Sequence, residues 1–458
     1  MEPAKDHILS AKAPELRNIF KRPLPKFLET EVFIMMDYNE YKPYLSPALA
    51  KSTDLIAVSA KGCYLTDQTG KVYLDFVQGI AVNALGHCHP RIVKAISEQA
   101  AKLIDGSFNM VNFPSTLELA KRIAALAPGE LGSTFFSNGG AEATDGALKL
   151  ARAYTKKPAI IAFKGSFHGR TIGATTVTGS NSKYRKYYEP LMGGVYFVPY
   201  PSARLCPAGM DEEQRTDYCL QQLQETFDYL VAPECVAAVI IEPVMGEGGY
   251  VVPPTRFLKK LREICTKNNI LLIFDEIQCG YGRTGKMFAS ENFDVVPDIM
   301  TLGKAIAGGL PMSAVVSTPE IMAEWHAGMH GTTFGGNPVC AAAAVEVLNV
   351  FAEEHILENV AVQGEYLYRK LKELQAQYPV IGDVRGLGLM RAIEFMNPDG
   401  SPNGEALSKV RDFCFEHGML TLSCGVYGNG MRFATPLNVK PEEIDQGMEI
   451  LGGALASL

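Results

Sequence analysis

The sequence predicts an α/β fold built on a mainly parallel, helix-covered, seven-stranded sheet. Two observations carry this. Seven short apolar runs recur between residues 133 and 317, and amphipathic helical stretches separate several of them. A run of about 4–8 apolar residues bounded by turn residues reads as a strand buried on both faces.

The first run, "STFFSN" (133–138), leads through Gly139-Gly140 into a helix over residues 141–154, with Ala143, Ala147, Leu150, Ala151 and Tyr154 on one face. "PAIIAF" (158–163) and "GVYFVP" (194–199) follow, each opened by a breaker residue. "AAVIIEP" (237–243) and "ILLIFDE" (270–276) each end on carboxylates, and the helical "PPTRFLKKLREICTKNN" lies between them. "DIMTLGKA" (298–305) and "MSAVVS" (312–317) complete the set. From about residue 340 the pattern changes. "CAAAAVEVLNVF", "VQGEYLYRKLKELQAQY" and a last stretch with Ile444, Met448, Leu451 and Leu455 in phase read as long helices around the strand-like "VRGLGLMRAIEF". The expected division is an irregular segment 1–70, a large domain 71–338, and a smaller α+β domain 339–458 with which the first segment packs.

The composition, 47% hydrophobic and 20% charged, is that of a globular protein. A net charge of −7 argues against nucleic acid or an anionic membrane as partner. Ten scattered cysteines without a C-x-x-C pair read as reduced thiols, with no zinc site. The N-terminus fits no signal or transit peptide, and no run approaches the ~18 apolar residues of a membrane span. A cytoplasmic location is expected.

In such sheets chemistry gathers beyond the C-terminal strand ends. Gly139 and Gly140 open a helix, a natural phosphate seat. Phe167 and His168 follow the second strand, with Arg170 beyond. Glu242 and Asp275 end very apolar strands, where a charge needs a partner. Lys304 follows another, flanked by Leu302, Ala305 and Ile306, so its amine is expected to be desolvated, lowered in pKa and able to form a Schiff base. "HGTTFGGNP" (330–338) is a hydroxyl-rich and glycine-rich loop, and Arg432 stands alone in an apolar stretch. Singly, each has an ordinary structural explanation, such as a tight turn or a snorkelling lysine. A phosphate cradle, an aromatic ring, a buried acid and a buried lysine together match one cofactor, pyridoxal 5'-phosphate. The rival is a P-loop in "GYGRTGKM", but Met287 replaces the hydroxyl residue that would hold magnesium.

These motifs resemble the class III aminotransferases, the family of 4-aminobutyrate, ornithine and acetylornithine aminotransferases. The resemblance runs from about residue 45 to 455 and is strongest in "FHGRT", "EPVMGEGG", "FDEIQCGYGRTGKMFA", "DIMTLGKAIAGGLP", "TFGGNP" and "GLGLMRAIEF". It implies a fold-type I enzyme. It makes Lys304 the Schiff-base lysine and Asp275 the partner of the ring nitrogen. Phe167 and His168 then lie at the ring, Gln278 near its hydroxyl, and Gly140 and Ala141 at the phosphate. Thr333 would reach the phosphate of a neighbouring subunit, making the enzyme a homodimer or a tetramer. Two departures stand out: Gly139 where the family has serine, and Met245 where it often has glutamine.

The resemblance further implies that Arg170 holds the distal carboxylate of an ω-amino acid and Arg432 the α-carboxylate of glutamate or 2-oxoglutarate. Glu242 would pair with Arg432 when no α-carboxylate is present, and Ile80 would help shape the donor pocket. The expected reaction moves an amino group from a 4-aminobutyrate-like donor to a 2-oxo acid in two half-reactions. Ornithine, acetylornithine or a diamine as donor, and amino-acid racemisation or epimerisation, are the alternatives.

Overall fold

A computed structural model describes residues 35–49 and 51–458. The described residues up to Ile56, with Gln68–Gly70, form one compact unit, and Ala57–Asp67 with Lys71–Leu458 forms the other. In the first, Tyr38–Tyr41 is a short helix capped by the Asp37 carboxylate, which accepts from the Asn39 amide. The second unit carries the sheets.

Its strands are β1 (Ala57–Lys61), β2 (Tyr64–Asp67), β3 (Val72–Asp75), β4 (Ser133–Ser137), β5 (Ala159–Phe163), β6 (Val195–Val198), β7 (Val236–Ile241), β8 (Leu271–Asp275), β9 (Ile299–Leu302), β10 (Ser313–Ser317), β11 (Ile381–Leu387), β12 (Met390–Phe395), β13 (Met419–Leu420), β14 (Leu422–Cys424) and β15 (Gly430–Phe433). The seven apolar runs form one sheet, in the order β4-β10-β9-β8-β7-β5-β6. β10 alone runs antiparallel, against both β9 and β4, while β5, β6, β7, β8 and β9 are parallel.

The unbroken apolar character of the central strands has a direct cause. Ile161, Val239 and Leu272 point into one buried cluster, with Leu223 of the helix Glu212–Tyr229 and Leu258 of the helix Thr255–Lys267. Ile160, Ile240 and Ile273 point into the opposite cluster, with Ala143, Ala147 and Leu150 of the helix Gly140–Thr155. Both faces of the sheet are covered, so neither face of a strand can be polar. The strands are parallel, so the C-terminal ends of β5, β7, β8 and β9 share one edge.

The segment expected to be irregular contains β1 and β2, an antiparallel hairpin turning at Gly62, whose φ of +57° suits glycine. It joins β3 and, in parallel, β13 in a four-stranded sheet. "VRGLGLMRAIEF" is not one strand but the tight hairpin of β11 and β12. The expected long helices form as Pro338–Glu353, Ile356–Gln377 and Pro441–Ala456.

Candidate active site

Asp275 ends β8, Glu276 follows it directly, and the two face different environments, as successive residues of extended chain do. One Asp275 carboxylate oxygen lies 2.7 Å from His168 Nδ1. The other accepts from the Thr301 hydroxyl at 3.2 Å and the Ile277 amide at 3.1 Å. Glu276 instead accepts from the amides of Ala289 (2.5 Å) and Ser290 (2.9 Å), tying down the short helix Ala289–Asn292 that follows the glycine-rich turn. Burial pushes its pKa up to about 7. Asp275 therefore faces the chemistry, and Glu276 organises the turn.

That turn is no phosphate cradle. Lys286 is exposed. Arg283 is buried, donating to the carbonyls of Thr435 (2.6 Å) and Leu389 (3.3 Å). Burial pulls its pKa down to about 10. The turn is a seat for the chain around residues 388 and 435: a Cβ at Gly388 would stand 2.6 Å from the Thr284 carbonyl carbon.

His168 is held on three sides. Its amide donates to the Thr178 hydroxyl (2.9 Å), its carbonyl accepts from Thr144 (3.0 Å), and its ring meets Asp275. Gly169 beside it has φ +136°, and a Cβ there would come within 2.4 Å of the Ala141 Cβ. Only glycine lets the Phe167–Gly169 loop press onto the start of the helix Gly140–Thr155. A Cβ at Gly140 would stand 3.0 Å from the Ile277 side chain, which would have to give way slightly, whereas a Cβ at Gly139 would meet nothing within 4 Å. The serine the family carries at that position would fit here without a clash. Open space therefore adjoins the first helical N–H groups, which have no acceptor inside the helix.

Lys304 opens the short helix Lys304–Ala307 with φ +44°, a left-handed conformation that is strained for a side-chain-bearing residue. Burial draws its amine pKa down, while the charges of Asp275 and Glu242 oppose the shift and that of Arg432 adds to it. All three groups thus lie within electrostatic reach of the lysine. No hydrogen-bond partner of its amine is found among the described residues.

The expected Glu242–Arg432 pair does not form. The Glu242 oxygens accept from the amides of Phe167 (2.9 Å) and Gly246 (2.8 Å), which ties the end of β7 to the Phe167 loop. Burial pushes its pKa up to about 7. A carboxyl committed to two amides and raised this far is a poor counter-charge. Arg432 instead donates to Gln278 Oε1 at 3.4 Å, which also accepts from the Tyr250 hydroxyl at 3.0 Å. The buried Nε of Arg432 has no partner. Met245 packs against Gly165 and Gly248, so its substitution for glutamine changes the packing under the loop.

Phe167 is half-buried and edge-on to Tyr184, with ring centroids 5.4 Å apart. The exposed Arg170 guanidinium lies 4.2 Å from the Tyr184 ring centroid and 5.7 Å from that of Phe167. Tyr184 donates to Glu247 at 2.9 Å. Burial and Glu247 push the Tyr184 pKa up to about 12, against the opposing charges of Arg170 and Arg432. Thr333 is exposed on its loop, next to Thr332, whose hydroxyl accepts from Asn138 at 3.1 Å. Ile80 is exposed on a left-handed turn, Gln78–Ala81. Thr301, Tyr184 and Tyr250 escaped the sequence reading. Thr301 is visible only once the pairing of Asp275 with Thr301 on β9 is known.

The residues fit pyridoxal phosphate: an unpartnered lysine amine, an orphaned buried His168 Nε2, glycines that admit close approach, and a fixed carboxylate. Comparisons with known proteins agree. The chain is similar to a probable 4-aminobutyrate aminotransferase of Bacillus subtilis, with 37% identity over 415 residues, 90% of this chain and 95% of that protein. It is similar also to an alanine/serine racemase of Pyrococcus horikoshii, with 35% identity over 86% of this chain and 84% of that one. A solved transaminase from the marine bacterium Virgibacillus superposes with a TM-score of 0.84 at 31% identity, covering 92% of this chain and 98% of that one. The family profile described as aminotransferase class-III matches residues 47–455, and the chain accordingly belongs to the class III aminotransferases, a family of pyridoxal-phosphate-dependent enzymes.

Proposed function

We propose that this aminotransferase takes its amino group from an ω-amino acid of the 4-aminobutyrate class and passes it to a 2-oxo acid, with 2-oxoglutarate the favoured acceptor. One observation carries the reading: two guanidinium groups near the same tyrosine lack an acidic partner among the described residues. Arg170 lies over Tyr184 and Phe167, and Arg432 is buried with only neutral Gln278 and an orphaned Nε. A buried, unpaired guanidinium costs several kcal/mol, and a substrate carboxylate relieves it. Arg432 is such a site and suits an α-carboxylate, while Arg170, exposed on aromatic faces, suits the distal carboxylate of a donor.

Bound pyridoxal phosphate supplies an aldehyde that joins amines and a ring that accepts electrons. Gly140 and Ala141 would hold its phosphate through their N–H groups, with Phe167 across its ring and Gln278 beside its hydroxyl. Asp275, oriented by His168 and Thr301, would hold the ring nitrogen. The lowered amine pKa of Lys304 leaves a share of it neutral, so its Nζ can take a proton from the substrate carbon and return it elsewhere.

We further propose a homodimer in which Thr333 serves the neighbouring phosphate. Exposed Leu103, Ile104, Met110, Val111 and Phe334 support it as an apolar surface that a second copy would cover. A reducing cytoplasm suits ten free cysteines. The P. horikoshii relative keeps racemisation as the second reading.

An amino-donor panel against 2-oxoglutarate and pyruvate tests the proposal. Donors with a distal carboxylate should outpace diamines and simple amines. Equal rates for donors lacking it would reject the two-arginine reading. Loss of optical purity of one amino acid incubated without any oxo acid would establish racemisation.

A further inference from the structure

We propose that Cys206 and Cys219 form a reversible oxidation site, closing an intramolecular disulfide when the protein meets a peroxide. Their sulfur atoms lie 3.6 Å apart, and both side chains are buried. Bonding requires the sulfurs to close to about 2.05 Å, a movement within reach of a loop cysteine. Cys219 is fixed on the helix Glu212–Tyr229, whose start is locked by the Asp211 capping box. Cys206 sits in the connection between β6 and that helix. One partner is therefore rigid and the other adjustable.

The surroundings differentiate the two thiols. The Cys219 thiol hydrogen-bonds to Cys206 and holds its pKa below the ordinary thiol value, with the Ser202 region and the Arg215 charge acting in the same direction. The same contact pushes Cys219 up. Arg215 donates through Nη1 to the Met210 carbonyl at 2.7 Å, but its buried Nε has no acceptor. A cation with a spare donor next to a thiol pair supplies what a thiolate needs. Cys206 is thus the attacking sulfur and Cys219 the resolving one.

The chemistry balances with hydrogen peroxide as oxidant. The Cys206 thiolate attacks one peroxide oxygen, the O–O bond breaks, and the sulfur becomes a sulfenic acid as one water leaves. Cys219 then attacks that sulfur, the S–S bond forms, and the hydroxyl departs as a second water. Two thiols lose two electrons and two protons in total. Ser202, Leu205 and Arg215, all close to the pair in sequence, line a cavity of about 640 Å³, large enough to bring a molecule of this size into the neighbourhood of the thiols. The site also touches the catalytic edge from behind. Cys206 Sγ contacts the Tyr200 carbonyl, and the Tyr200 hydroxyl donates to the Glu242 carbonyl at 3.2 Å.

The test uses the full-length holoenzyme, treated with hydrogen peroxide, blocked with an alkylating agent and digested without reductant. The exposed Cys88 and Cys235 are internal controls for random oxidation. The expected product is a cross-linked peptide pair joining residues 206 and 219, two hydrogens lighter than its parts and released by dithiothreitol. In Cys219→Ser it should be replaced by an over-oxidised Cys206. Recovery of both thiols while Cys88 and Cys235 are oxidised would overturn the proposal. So would sulfinic acid at Cys206 without the cross-link in the unmodified chain, a result that does not depend on any variant folding.

Discussion

His168 Nδ1 and an Asp275 carboxylate oxygen lie 2.7 Å apart, with both residues shielded from solvent. The pair joins two strand ends, since His168 follows β5 and Asp275 closes β8. Thr301 and the Ile277 amide take up the second oxygen, so the carboxylate has one direction left to serve. Replacing a preorganised charged group of this kind typically costs about 10²–10³ in rate. Asp275→Asn should lower kcat by about that factor while the far-UV circular dichroism stays unchanged. His168→Gln, which keeps a hydrogen-bonding group near Asp275, should lose less. Steady-state assay of both variants with one donor and one acceptor checks the order. Equal losses would mean that His168 does more than orient the acid.

Lys304 combines a desolvated amine with a left-handed backbone at the end of β9. Strain of roughly 1–3 kcal/mol is retained where the surroundings over-determine a residue. Borohydride reduction of the loaded enzyme should fix the cofactor to the one peptide that carries Lys304, detectable by mass. In Lys304→Ala no peptide should be labelled and turnover should vanish. A label on Lys286 or any other lysine would refute the assignment.

The sheet was legible because its strands are buried on both faces and read as unbroken apolar runs. Breaks in those runs at Asp275, Glu242 and Lys304 marked the edge where the chemistry gathers. β1 and β2 were not legible: β1 is mostly exposed, β2 is a four-residue mix of Tyr64, Leu65, Thr66 and Asp67, and the sheet they join is completed by β13, far away in sequence. Tyr184 gave no signal, because its value lies in lying under Arg170 and reaching Glu247, contacts that only the folded loop creates. The Glu242–Arg432 pair failed for a related reason. Nothing in "EPVMGEGG" announces that the amides of Phe167 and Gly246 will claim both carboxylate oxygens.

The two arginines should separate by substrate. Arg170 is exposed and rests on aromatic faces, so Arg170→Ala leaves no buried charge behind. It should raise KM for 4-aminobutyrate by about 10- to 100-fold, the loss of one charge-assisted contact of roughly 1.5–3 kcal/mol. Glutamate turnover should change little. Arg432→Ala should invert the pattern and also free Gln278 and Tyr250. Half-reaction rates with each amino acid separate the effects. An equal penalty for both substrates would sink the division of labour.

Glu276 gives the pH prediction its sign. Its folded pKa is raised to about 7 from an ordinary 4.5, because burial penalises the charged form. The folded state therefore binds a proton more tightly than the unfolded one. The stabilisation is fully present below the ordinary value and is lost as pH climbs through about 7. The shift corresponds to roughly 3 kcal/mol across that window, at about 1.4 kcal/mol per pKa unit. Glu276→Gln cannot ionise. It should be less stable than the parent at pH 5, where the parent's carboxyl is protonated, and close part of the gap by pH 8. Glu242, raised in the same way, keeps a residual slope in the variant. Thermal midpoints recorded from pH 5 to 8 check it. Parallel curves for the two proteins would show that Glu276 stays ionised throughout, held by the amides of Ala289 and Ser290.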